Sequence, residues 1–304
     1  METLQYLLRQ REGIGTDNGL SMPGYFVWGG SVIESDGMYW MFASRWPKDS
    51  SLGGDNILDG YRTSSEIVLA SSTVPEGPYT DESVVIGKRE DRFWDSKMAH
   101  NPYLIGLNGL YVLFYIGSKV GDKRRKVGYA VSETVQGPYL RADQEIALTD
   151  DANNPAPFET AGGQVGLVFR DRDLHVFTAI ADRYDSPFCI VAEDIFQTAR
   201  LEDFCVYRWD GNYHMICEDN RGEATGHWRW GAHFESADGL RDWRRSEPII
   251  AYDHTTTLAD GGLITFDRRE RPQLLFDTNR NVTHLVTSAL KDGESRCLVV
   301  PVTL

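Results

Sequence analysis

Carboxyl groups that converge on one pocket can divide acid–base work. Each disfavours ionisation of its neighbour, so a proton donor and an ionised partner coexist at the same pH. Three acidic residues stand where such sharing could arise: Glu202 and Asp203 in LEDFCVY, and Glu270 in RERPQLL. Each lies at the start of an apolar run. The same place in three other segments holds Trp28-Gly29 (VWGGSVI), His100-Asn101 (AHNPYLI) and Asn153-Asn154 (NNPAPFE). A histidine near carboxylates has its charged form favoured, so His100 is a candidate general acid. Asn101 and Asn154 offer hydrogen bonds, Arg271 a fixed positive charge, and Trp28 an aromatic platform. Successive residues of a strand point to opposite faces. Glu202 and Asp203 therefore reach one pocket together only where a bulge intervenes.

For five such pairs to form one site, the segments carrying them must be arranged around a common axis. Three of the pairs are followed by proline, at Pro102, Pro155 and Pro272, and proline fits the first position of a strand. A second echo lies downstream: ASSTVPEGPY (70–79), AVSETVQGPY (130–139), AIADRYDSPF (179–188) and, more loosely, ESADGLRDW (235–243). Recurrence of all-β units at about 45–70 residues is the pattern of a propeller. The fold expected is a single-domain, all-β, five-bladed β-propeller. Its blades span roughly 25–90, 91–150, 151–197, 198–255 and 256–304, with residues 1–24 closing or covering the ring. Asp-Gly and Asn-Gly turns in ESDGMY, LNGLY and WDGNY supply the positive φ of tight hairpins. The fifth unit shows only three clear strands, so LQYLLRQ (4–10) is the candidate for its fourth. The loop between Arg45 and Ser64 is long for a compact domain and reads as functional or mobile.

Composition narrows the partners. The net charge of −14 over 304 residues argues against nucleic acid and anionic membranes, both of which require a cationic surface. No run approaches a membrane span, and METLQYLLRQREGIGTDN lacks the apolar core of a signal peptide. A cytoplasmic location follows as the expectation; the sequence leaves the oligomeric state open. Cys189, Cys205, Cys217 and Cys297 lie in apolar runs without CxxC spacing, as buried free thiols do. No GxSxG, GxxxxGK[ST] or HExxH motif is present, and DNILDG (55–60) lacks EF-hand spacing. No cofactor or metal ligand set is read; a cation in the axial channel is compatible with the fold but not required.

WDSKMAHNPYLI with LYVLFYIGS, LEDFCVYRWDGNYHMICED, and RRERPQLLFD with VTHLVTSAL together resemble the five-bladed propeller glycoside hydrolases, the broad group of families 43, 62, 117 and 32. The likeness spans residues 25–300 and is greatest to family 43-like and 117-like members. It implies a funnel-shaped carbohydrate site and hydrolysis of a glycosidic bond by paired carboxyl groups. Glu202, Asp203 and Glu270 would carry the protons, with His100 beside them. Family 43 places an aspartate general base where this chain has Gly29, and an acid-tuning aspartate where it has Asn101. Asp95, Glu66, Asp219 and Asp260 are the carboxylates that could substitute. Trp28, Trp46, Trp228, Trp230 and His227 are candidates to line the sugar site, since sugars lay their C–H faces on rings. The departures leave two alternatives. One is a phosphorylase on the same fold, binding phosphate through Arg271, Lys97, Arg45 and His100; the other is a non-catalytic sugar-binding propeller.

Overall fold

The computed structural model describes residues 4–50 and 56–304. Residues 51–55, part of the long loop singled out above, lie outside the described residues. Five four-stranded antiparallel sheets make up the ring. Blade one runs through Tyr25–Ser35, Met38–Pro47, Glu66–Ser72 and Thr80–Ile86. Blade two contains Met98–Leu107, Leu110–Ser118, Lys126–Ser132 and Leu140–Arg141. Blade three contains Asn153–Glu159, Val165–Arg170, Val176–Ala181 and Cys189–Ala192. Blade four contains Leu201–Trp209, Asn212–Asp219, Gly231–Ser236 and Arg244–Tyr252. Blade five contains Arg268–Phe276, Val282–Lys291 and Glu294–Thr303. Its fourth strand is Arg9–Gln10, paired with Val302 and Thr303.

The apolar faces of these strands meet between blades rather than within one central core. Phe42, Leu69, Leu104 and Leu113 fill the space between blades one and two. Phe114, Ile116, Leu167 and Phe169 do so between two and three, and Phe158, Phe204 and Met215 between three and four. Ile216, Leu285 and Leu298 join blades four and five; Val27, Met41, Val286 and Val299 join five and one. Wedge-shaped gaps between twisted sheets suit bulky rings, which explains much of the aromatic content. The recurrent Pro-Tyr turns share one tie: the Tyr79 hydroxyl donates to Pro75 O at 2.8 Å and the Tyr139 hydroxyl to Val135 O at 3.1 Å. Three cysteines are buried, but Cys189 is exposed at the outer edge of blade three, contrary to the expectation for all four. All are free thiols.

The feature that builds the site recurs five times. In every innermost strand the pairing register slips by one residue, at Trp28/Ser31, His100/Tyr103, Asn153/Ala156, Glu202/Cys205 and Glu270/Gln273. The residue inside each bulge has positive φ: Gly29 (69°), Asn101 (55°), Asn154 (53°), Asp203 (59°) and Arg271 (57°). A left-handed residue in a bulge re-aims its side chain out of the strand's alternation. Serines of the neighbouring blade fix two of these kinks. The Gly29 amide donates to Ser288 Oγ at 2.6 Å, and the Asn101 amide to Ser44 Oγ at 2.9 Å.

Candidate functional site

The bulges resolve the problem of alternation. Glu202 and Asp203, adjacent in sequence, both line one cavity of about 790 Å³. Glu270 and Arg271 from blade five share it, as do His100, Asn101, Asn153, Asn154 and Trp28. The five left-handed residues converge on its floor. Asp203 Oδ1 accepts hydrogen bonds from Asn154 Nδ2 and, at 3.2 Å, from Arg271 Nη1. An atom added at the Gly29 Cβ position would lie 3.5 Å from Asn101 Oδ1 and 3.6 Å from Arg271 Nε. Neither of those two polar atoms has a hydrogen-bond partner among the described residues. Blades two and five thus lean toward a place where blade one contributes no side chain.

Around this floor the carboxyl groups occupy different fields. Arg170 Nη2 donates to Glu202 Oε2 at 2.6 Å, and Asn220 Nδ2 donates to Glu202 Oε1. Burial pushes the Glu202 carboxyl up, but Arg170 and Arg229 outweigh it and hold its pKa below the usual value. Glu270 has the opposite balance. Burial lifts it to about 7, against the pull of Arg229 and Arg268, although Arg229 Nη1 lies 2.6 Å from Glu270 Oε1. Asp203 is also raised, by burial and by Glu202 against Arg271. Opposite shifts on neighbouring carboxyls are the arrangement that separates an acid from a base.

Glu218 was not among the sequence candidates. It is fully buried behind the cavity, and Arg229 Nη1 bridges it at 2.5 Å to Glu270. Carboxylate oxygens of Asp203, Glu218 and Glu270 lie within 4.8 Å of one another. Arg229 donates to Glu218 Oε1 and Glu270 Oε1 and Arg271 to Asp203 Oδ1, while Glu218 Oε2 has no hydrogen-bond partner among the described residues. Arg170 and Arg229 were likewise missed, since nothing in GLVFR or GHWRW marks an arginine as axial rather than solvated.

His100 corrects one expectation. Its neighbours are Arg271 and Arg125 rather than carboxylates, and burial together with those charges drives its pKa well down. The imidazole is neutral, stacked on Tyr61 at 4.4 Å, with Nδ1 2.9 Å from Ser65 Oγ. Its environment suits hydrogen bonding, not donation of a proton from an imidazolium.

Seven other candidates stand away from the cavity lining. Asp95 is buried between Arg89, Arg141 and the Tyr115 hydroxyl, bracing blade two. Glu66 accepts from Arg45 at 2.9 Å, and Arg45 also reaches Asp81 at 2.7 Å, so neither Glu66 nor Arg45 enters the site. Asp219 closes the turn after its strand by accepting from the amides of Glu223, Ala224 and Thr225. Trp230 stacks on His227 at 3.8 Å, outside the cavity lining, while Trp46 and Trp28 do line it. Asp260 sits in an exposed turn, where its side chain accepts from the Gly262 amide.

No family model and no curated protein matches the chain in sequence. Solved structures do match. An endo-arabinase from Bacteroides thetaiotaomicron VPI-5482 superposes with a TM-score of 0.67 at 14% identity, over 97% of this chain and 98% of that one. A family 117 glycoside hydrolase produced by Zobellia galactanivorans gives 0.68 at 15%, over 97% and 89%. A family 43 β-xylosidase/α-arabinofuranosidase from a compost metagenome, in complex with xylotriose, gives 0.67 at 13%, over 98% and 94%. The chain has the fold of the five-bladed propeller glycoside hydrolases. At these identities the likeness concerns architecture, and the chemistry rests on the residues in the funnel.

Proposed function

We propose that this propeller is a glycoside hydrolase that binds a carbohydrate in the funnel and cleaves a glycosidic bond by carboxyl acid–base catalysis. One observation supports it most: Glu202 and Glu270 share a cavity but are shifted in opposite directions. Glu270, held protonated near neutrality, donates to the leaving oxygen. Glu202, kept ionised by Arg170, serves as the anionic partner, and Asp203 is fixed at the axis by Asn154 and Arg271. Asn101, Asn154 and neutral His100 hydrogen-bond hydroxyls, and Trp28 offers a ring face.

The test is a glycoside panel assayed with the wild-type protein and with Glu270→Gln. Loss of a positioned proton donor lowers kcat by about 10²–10⁴-fold, with an unchanged circular dichroism spectrum and melting profile. Undiminished turnover in that variant would remove Glu270 from the mechanism. Phosphorolysis is the second reading, favoured by the cations Lys97 and Arg271 in the lining. Cleavage that requires inorganic phosphate and yields a sugar 1-phosphate would select it.

A further inference from the structure

Among the described residues, nine cationic side chains and three carboxylates line the cavity of a protein whose net charge is −14. Apart from Arg62, whose guanidinium lies over the Tyr61 ring, the cations fall into two groups. Arg170, Arg229, Arg268 and Arg271 lie on blades three to five, each within 4 Å of a carboxylate in or behind the cavity. Lys97, Lys123, Arg125 and Arg172 form the other group, on blades two and three. They share a single carboxylate, Asp151, which pairs with Arg125 at 3.4 Å and Arg172 at 3.3 Å. Arg125 Nε makes no hydrogen bond even to that partner. Among the described residues no carboxylate pairs with Lys97 or Lys123. Asp151 is further occupied by Asn153 Nδ2 at 2.6 Å.

Four cations against one anion, in a concavity walled by low-dielectric protein, produce a focused positive potential that attracts anions. The position of the cluster indicates which part of a ligand it meets. In a ring of five, blades two and three are the two that do not adjoin blade five, so the cluster faces Glu270 across the funnel. Lys123 and Arg172 are exposed at the mouth, whereas the floor residues are buried. An attacking anion would have to reach the floor. A group fixed on the sugar and pointing outward meets the mouth.

We propose that the substrate is an anionic carbohydrate, whose uronate carboxylate or sulfate ester is held by Lys97, Lys123, Arg125 and Arg172. This rests on the carbohydrate reading of the cavity but not on cleavage. It accounts for a charge pattern that a neutral sugar would leave unused, because an ammonium or guanidinium aimed at a hydroxyl forfeits most of its electrostatic advantage.

The experiment is titration calorimetry of the intact wild-type protein with matched probes. These are glucuronate- and galacturonate-terminated disaccharides and a 6-O-sulfated galactobiose, each beside its neutral counterpart, and inorganic phosphate alone. At least one anionic probe is expected to bind about tenfold or more tightly than its counterpart, with the advantage shrinking as salt rises. The Lys97→Gln/Lys123→Gln double variant abolishes the preference. Both lysines sit at solvent-accessible positions, so this variant keeps the fold. Equal binding of every pair, no binding by any anionic probe, or a preference untouched by the double variant overturns the proposal. Phosphate binding more tightly than every sugar, and lost in the double variant, also overturns it and assigns the cluster to free phosphate. An anionic probe that binds with the expected preference yet is never cleaved leaves this inference standing and removes the hydrolase reading.

Discussion

Glu270 carries the most specific consequence at the level of single residues. Its carboxyl is lifted to about 7 by burial, while Arg229 and Arg268 pull in the other direction. A group that must be protonated to donate loses activity as pH rises past that value. The alkaline limb of kcat/KM, which reports the free enzyme, is therefore expected near pH 7. Arg268 is only half-buried, with Nη1 3.6 Å from Glu270 Oε1, so Arg268→Gln can relax without opening the core. Removing that positive charge raises the Glu270 pKa further, and the alkaline limb moves upward, as a pH–rate profile would show. A downward or absent shift would contradict the donor assignment. Stability follows the same linkage. Folded Glu270 holds a proton that the unfolded chain releases above about pH 4.5. Its contribution is fully present below that pH and is lost as pH rises to about 7.

At the scale of the strand, five bulges account for both what the sequence made legible and what it hid. Proline after the pair marked three of the strand starts and polar residues before an apolar run marked four, because both features are local. The left-handed turn inside each pair was hidden, since Asn101, Asn154 and Asp203 tolerate positive φ but Arg271 gives no such hint. Asp95, Glu66 and Asp219 looked equivalent to axial acids because a local segment does not tell which blade edge a carboxylate reaches. Arg170 and Arg229 acquire their meaning only through partners on other strands, at Glu202 and at Glu218 and Glu270. Gly29 is where the bulge can be tested. Its φ of 69° disfavours β-branched residues, while the space beyond its Cβ position is open to 3.5 Å. Gly29→Val is expected to destabilise by about 1–3 kcal/mol through backbone strain. Gly29→Asp meets less strain and brings a carboxylate toward the unpartnered Arg271 Nε, so its melting temperature should exceed that of the valine variant. Equal melting temperatures would show that the kink is not demanding there.

The whole ring depends on a closure made by residues distant in the chain. Arg9 and Gln10 add the fourth strand to blade five, and the Leu7 and Leu8 amides donate to Ile250 O and Ala251 O of blade four at 2.8 and 3.1 Å. Leu8 and Ile14 are buried in the cluster between those blades with Leu285, Leu298 and Val302. One short segment thus fastens blade five, which carries Glu270 and Arg271, to blade four, which carries Glu202 and Asp203. Because the carboxyl shifts depend on water exclusion and on arginines reaching across that junction, closure and site electrostatics are coupled. Leu8→Ala removes a buried side chain from the junction and is expected to lower stability by about 2–5 kcal/mol. Leu4→Ala, at a position 47% exposed, should leave denaturant unfolding nearly unchanged. Hydrogen exchange in the Leu8 variant should quicken first along 294–303, the strand that Arg9–Gln10 covers. Uniform acceleration over all five blades would instead mean that the ring opens as one cooperative unit, with no weak point at its closure.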